Sequence, residues 1–180
     1  MTVYIAMLRG INVTGHNKVA MKDLRALFEA LPAEDVKTYV QSGNVVFESH
    51  AVDATGIARA AEARIRTRLG LTVTVVVRTS DEFNEVLSGN PLLADRDPAF
   101  MHVTFLAASP DGDRVAALEA GGEVGAPDEF RLLGRQVYLY CPNGYGRTKL
   151  NNAFFERKLA VAATTRNWRT VTNLAELTRG

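Results

Sequence analysis

The order of apolar runs in the first 79 residues limits the fold more than any other feature of this chain. Residues 3–8 form a short run of strand formers that Arg9-Gly10 ends. Leu24, Leu27, Phe28 and Leu31 then recur at helical spacing, and Pro32 stops them. Residues 36–41 read as a second strand, with Val36, Thr38 and Val40 on one face, and residues 45–48 as a third. Between them lies Ser42-Gly43-Asn44, which suits a tight turn because Gly and Asn tolerate positive φ. Ile57, Ala61, Ile65 and Leu69 give a second helix closed by Gly70, and the β-branched run at 71–77 completes the unit. The order is βαββαβ, the ferredoxin-like pattern.

The expected fold class is α+β, built from two ferredoxin-like halves: a unit at 1–79 and a second α+β unit at 80–180 packed on it. The second half repeats the order less cleanly. Helices are expected at 81–87 and 111–120, a strand at 100–107, and a hairpin of 130–133 with 136–140 turning at Gly134-Arg135. Two helical segments follow, marked by Phe154, Phe155 and Leu159, then by Trp168, Val171, Leu174 and Leu177. The second half is therefore expected to be degenerate, with a helix where a symmetric copy would place its last strand. Strand one carries Val3, Ile5 and Met7 on one side and Tyr4, Ala6 and Leu8 on the other. Both faces of its sheet then need cover, from the second half or from a second copy in a homodimer.

Composition narrows the setting. Hydrophobic residues make up 47% and charged residues 23%, which suits a globular core under a solvated surface. Cys141 is the only cysteine, so no intramolecular disulfide can form, and no stretch approaches a membrane span. A cytoplasmic protein is expected. A net charge of +1 argues against bulk electrostatic binding of nucleic acid. Charge is nonetheless uneven: residues 80–130 hold eleven acidic and two basic side chains, and residues 147–180 hold seven basic and two acidic. Such asymmetry either aims a basic face at an anion or belongs to parts of one fold that attract each other.

Topology brings the first polar group together. The loop after strand one and the turn after strand two leave the same end of the sheet, placing Arg9, Asn12, His16, Asn17 and Lys18 near Gln41, Ser42 and Asn44. The same loop feeds a helix N-terminus, which favours an anion. The competing reading is that Ser42, Gly43 and Asn44 only make a turn. A second group is Asn143-Gly144-Tyr145-Gly146-Arg147-Thr148-Lys149, in which Arg147 and Lys149 would neutralise a phosphate or carboxylate. Its competing reading is a structural loop with Thr148 as helix cap. In the third, Thr164-Thr165-Arg166-Asn167-Trp168, Thr165 is expected to cap a helix, leaving Arg166 and Asn167 to bind.

No zinc spacing links His16, His50, His102 and Cys141, and no nucleophile elbow or dinucleotide loop is present, so neither metal nor cofactor is expected. Cys141 reads as a small buried hydrophobe, and the third strand lacks the aromatics of an RNA-recognition domain. The expected ligand is small and anionic, held by Arg9, Asn12, Lys18, Gln41, Ser42, Asn44, Asn143, Arg147, Lys149, Arg166 and Asn167. The alternative is a nucleic-acid or protein interaction module using the basic C-terminal helices. If the chain is an enzyme, His16 is its one titratable loop candidate near neutral pH.

The same segments carry a resemblance. Leu8-Arg9-Gly10-Ile11-Asn12-Val13, with Asn17-Lys18 and residues 21–24, resembles the opening of the bacterial family known as domain of unknown function 1697. Residues 39–47, 143–150 and 163–168 resemble its later signatures. One departure is Thr14, where glycine is expected before Gly15-His16. The resemblance implies two ferredoxin-like halves, no established activity and no catalytic residues to carry over.

Overall fold

The computed structural model describes residues 1–122 and 125–180; Glu123, one of the eleven acids of the 80–130 stretch, lies outside them. Its described residues form an α+β fold of two four-stranded antiparallel sheets and six α-helices. The chain packs as two compact units, one of Met1–Glu85 with Leu174–Gly180, the other of Val86–Asn173.

In the first unit the order is β1 (Thr2–Leu8), α1 (Met21–Glu29), β2 (Glu34–Tyr39), β3 (Asn44–Ser49), α2 (Ala54–Leu69) and β4 (Val75–Thr79), with strands ranked β2-β3-β1-β4. Strand alternation sends Tyr4, Ala6, Leu8, Val45, Phe47, Val75 and Val77 into one core with Leu24, Leu27 and Phe28 of α1 and Ala61 and Ile65 of α2. The alternate residues Ile5, Met7, Val46 and Val76 are buried too. Asp53 caps α2, accepting from Thr55 N, and Gly70 ends it at φ 67°. Strand β2 starts and stops two residues earlier than the sequence suggests. Val40 leaves it at φ 50°, and Gln41 belongs to the loop.

The helix α3 (Ser80–Ser88) spans the division between the units. Then come β5 (Met101–Leu106), α4 (Gly112–Ala120), β6 (Glu129–Leu133), β7 (Gln136–Tyr140), α5 (Asn152–Leu159), β8 (Ala163–Asn167) and α6 (Trp168–Leu177). Strand order is β6-β7-β5-β8, the same arrangement as in the first sheet. The second half is therefore not short of its last strand, as the sequence suggests: residues 163–167 pair with β5 from Leu106↔Ala163 to His102↔Asn167. The signal is hidden because this strand is polar. Its Thr165 hydroxyl lies 2.7 Å from that of Thr104 and donates to Asn152 Oδ1 at 2.7 Å, so the sheet accepts hydroxyls where an apolar pattern would be sought.

The inner strand pairs of the two sheets agree in register. Ile5↔Arg78 on β1–β4 has its counterpart in Val103↔Arg166 on β5–β8. Leu8 N donates to Gly43 O and Leu106 N to Arg135 O, both at 2.9 Å. Arg9 N reaches Thr74 O at 2.9 Å, as Ala107 N reaches Ala162 O at 2.8 Å.

Candidate functional site

The first polar group forms two loops stapled together. Asn12, at φ 53°, donates through Nδ2 to Val19 O (2.9 Å) and to Gln41 O (2.8 Å), while its Oδ1 accepts from Val19 N (2.8 Å). Asn17 Nδ2 donates to Gly10 O at 3.1 Å. Asn44 is buried at the start of β3, where its Nδ2 donates to Tyr39 O (2.9 Å) and Ser42 Oγ (3.0 Å). Gly43 lies at φ 85°, and a Cβ there would come within 2.5 Å of Ile11 Cδ1 and 3.1 Å of Leu8 Cβ. The structure thus brings Asn12, Gln41, Ser42 and Asn44 together, but the amides of Asn12 and Asn44 are engaged in holding the backbone. Arg9 is half-buried, and Lys18 and Gln41 are exposed. Thr14 adopts φ 46°, which gives the glycine expected there its physical reason.

The third group sits on β8 and its exit. Arg166 is buried, 6% exposed; its Nη1 donates to Thr164 Oγ1 and to Thr165 O, both at 2.9 Å. Burial pulls its guanidinium down to about 10, still charged at neutral pH, with Tyr145 opposing the shift. Arg78, its counterpart on β4, is also buried and donates to the carbonyl of its own preceding residue, Val77, at 3.1 Å. Asn167 rather than Thr165 caps the last helix, its Oδ1 accepting from Thr170 N at 2.8 Å. Thr165 lies inside the strand.

The second group leads into an open groove of about 530 Å³ lined by Thr148, Lys149, Asn151, Ala153, Phe154 and Arg157. Asn151, not Thr148, is the cap of α5: its Oδ1 accepts from Phe154 N at 2.9 Å. Thr148 is turned to Asp128, donating to Oδ2 at 2.6 Å, and its hydroxyl accepts from Leu150 N at 3.1 Å. Asn143, Arg147 and Lys149 are exposed. The guanidinium carbon of Arg157 stands 5.7 Å from the Phe154 ring centre, and Lys158 Nζ stands 6.0 Å from it on the same helix. Among the described residues neither Lys149 nor Arg157 has a carboxylate partner. Arg157 is the groove residue that the sequence reading missed. Its signal is its spacing, six residues beyond the helix cap, but that face is defined only once Asn151 is known to be the cap.

Cys141 is buried, and that burial pushes its thiol up; the Thr148 hydroxyl pulls the other way. Among the described residues no cluster of three or more His, Cys, Asp or Glu could hold a metal ion, and no helix is long and apolar enough to cross a membrane.

A family model described as protein of unknown function (DUF1697) matches residues 1–138. The chain belongs to this family. Members of the DUF1697 family thus include a chain whose stapled loops, Arg9–Val19 and Val40–Gly43, lie within the matched residues. Comparison with curated proteins gave no match. Among solved structures, the conserved bacterial protein SP0830 from Streptococcus pneumoniae is similar at 24% identity, covering 98% of each chain with a TM-score of 0.75. That likeness shows the fold.

Proposed function

We propose that this chain binds a small anionic ligand, bearing phosphate or carboxylate, in the groove along α5. The observation that carries the reading is the pair Lys149 and Arg157, two cations without carboxylate partners among the described residues, lining one open groove that runs from the cap of α5 to its last turn. The helix adds its own positive end, and guanidinium and ammonium groups together suit an oxyanion. A ligand phosphate would meet Lys149 as a point charge and Arg157 as a planar fork. Arg147 is exposed on the turn before the helix and adds positive charge to this stretch of chain. The loops of the first half support the reading less, since Asn12 and Asn44 are held by the backbone.

An extended basic face for nucleic acid is the weaker reading. Of the seven basic residues after position 146, Arg166 is buried in a strand, and two acidic residues lie among the rest. The cytoplasm is the compartment we assign, because the single cysteine is a buried thiol.

Titration calorimetry and thermal shift with inorganic phosphate and pyrophosphate test the site. Binding is expected in the wild type, with a rise in melting temperature set by the ratio of ligand to Kd. Lys149→Ala and Arg157→Ala should each weaken it about tenfold or more, as loss of a charged hydrogen-bond donor does. Absence of any heat or stabilisation, or equal binding by both variants, refutes the proposal.

A further inference from the structure

The four outer strands of the two sheets are β2 and β4 in the first, β6 and β8 in the second. Strands β4 and β8 are largely buried. Strand β2 is protected by its own irregularity: its register shifts between Glu34 and Lys37, Asp35 adopts φ 48°, and Lys37 pairs with Asp35 at 2.8 Å. Among the described residues strand β6 has neither a register shift nor a positive φ. It pairs with β7 without a break from Glu129↔Tyr140 to Leu133↔Gln136, and Leu133 is 45% exposed beside an open groove along the strand.

The hairpin shows which backbone groups face outward. Gly134-Arg135 is a two-residue connection, so Leu133 and Gln136 close the ladder as a hydrogen-bonded pair, and Arg131 and Glu129 follow in the same phase. The N–H and C=O of Phe130 and Leu132 therefore point away from β7. Arg131 Nη1 donates to Phe130 O at 2.8 Å, as an outward carbonyl allows. That contact covers the carbonyl.

From this edge we infer that β6 is a self-association surface, pairing antiparallel with β6 of a second copy of this chain about a two-fold axis at Phe130. The sequence across the axis is complementary to itself. Phe130 meets its own copy and exchanges both backbone bonds; Leu132 falls opposite Asp128. Glu129 and Arg131, on one face of the strand, each fall opposite the other's copy, which places two ion pairs symmetrically beside the axis. Glu129 is already oriented: Arg96 holds both its oxygens, Nε to Oε1 at 3.0 Å and Nη2 to Oε2 at 2.7 Å. A carboxylate has lone pairs left for a second guanidinium. On pairing, Arg131 exchanges the Phe130 carbonyl for the second copy's Glu129 and uncovers the carbonyl for the ladder.

Sedimentation equilibrium of the full chain reads the outcome. The wild type should show a concentration-dependent dimer that weakens with salt. Arg131→Glu, an exposed change, should raise the dimer dissociation constant about tenfold or more, because it sets two like-charged pairs opposite each other. Lys37→Glu on the protected β2 edge should leave it unchanged, and thermal melts of both variants establish that they fold. A single monomeric species up to roughly 1 mM, the weak end of specific association, overturns the inference. So does a dimer that Arg131→Glu leaves untouched.

Discussion

The two halves share a ladder and differ in where they lengthen it. In the first, the link from β1 to α1 runs through residues 9–20, while the second passes from β5 to α4 through 107–111. The link from β3 to α2 takes only residues 50–53, whereas that from β7 to α5 takes 141–151. Each half has thus kept the backbone bonds of the sheet and extended a different end of the same unit. The extensions are also unlike in chemistry. The first is a knot of side-chain amides gripping backbone, with Asn12, Asn17 and Asn44 at its centre. The second is a capped helix start with exposed cations and an open groove. A repeated fold supplies two rims, and here one rim is closed on itself while the other carries an open groove.

The sharpest way to break this contrast is at the hairpin turns. Gly43→Ala places a methyl against buried Ile11 and forces positive φ on alanine, so unfolding in denaturant should show a loss of about 3 kcal/mol. Gly134→Ala, in the second half's turn, meets no atom nearer than 3.9 Å and should lose only about 1 kcal/mol. Equal losses would mean that the first turn is not clamped by its neighbour. Next is Asn12→Ala, which removes three hydrogen bonds with no counterpart in the short 107–111 link; roughly 2 kcal/mol should be lost in the same measurement.

A smaller effect separates the halves by pH. Burial holds the His102 imidazole below its usual value, and its ring stacks on Tyr145 with centroids 4.8 Å apart. The unfolded chain therefore binds the proton more readily than the folded one. Stability due to the neutral ring is present above about pH 6.5 and declines as pH falls from there toward the depressed folded value. Melting curves between pH 7.5 and 5 should show that decline in the wild type and a shallower one in His102→Phe, which keeps the ring contact. The smallest change should be a gain. Thr14→Gly relieves a β-branched residue at φ 46° and should stabilise the chain by about 0.5 kcal/mol after the added freedom of the unfolded glycine is deducted.

What the sequence made legible follows from where burial and pattern coincide. Helix α2 is readable because its apolar spacing and the closing Gly70 agree. The adjacency of the two loops in the first half follows from strand order, and the Asn12 to Gln41 bond realises it. Strand β8 escapes because threonines pair with other hydroxyls inside the sheet, so burial there leaves no apolar trace. The burial of Arg166 has no local signal either; it follows from the alternation of a strand that is itself hard to see. At Gly43 the turn is legible, but the side chain of Ile11 that forbids any Cβ is not.

The membership of Leu174–Gly180 in the first unit has a consequence for synthesis. A ribosome completes all four strands of that unit before residue 80, yet Leu174 and Ala175, both buried, are made only after the whole second unit. The half that emerges first is therefore finished last. A nascent chain paused between the two holds a complete first sheet without its final helical turn, and the second unit must emerge before the first can be closed.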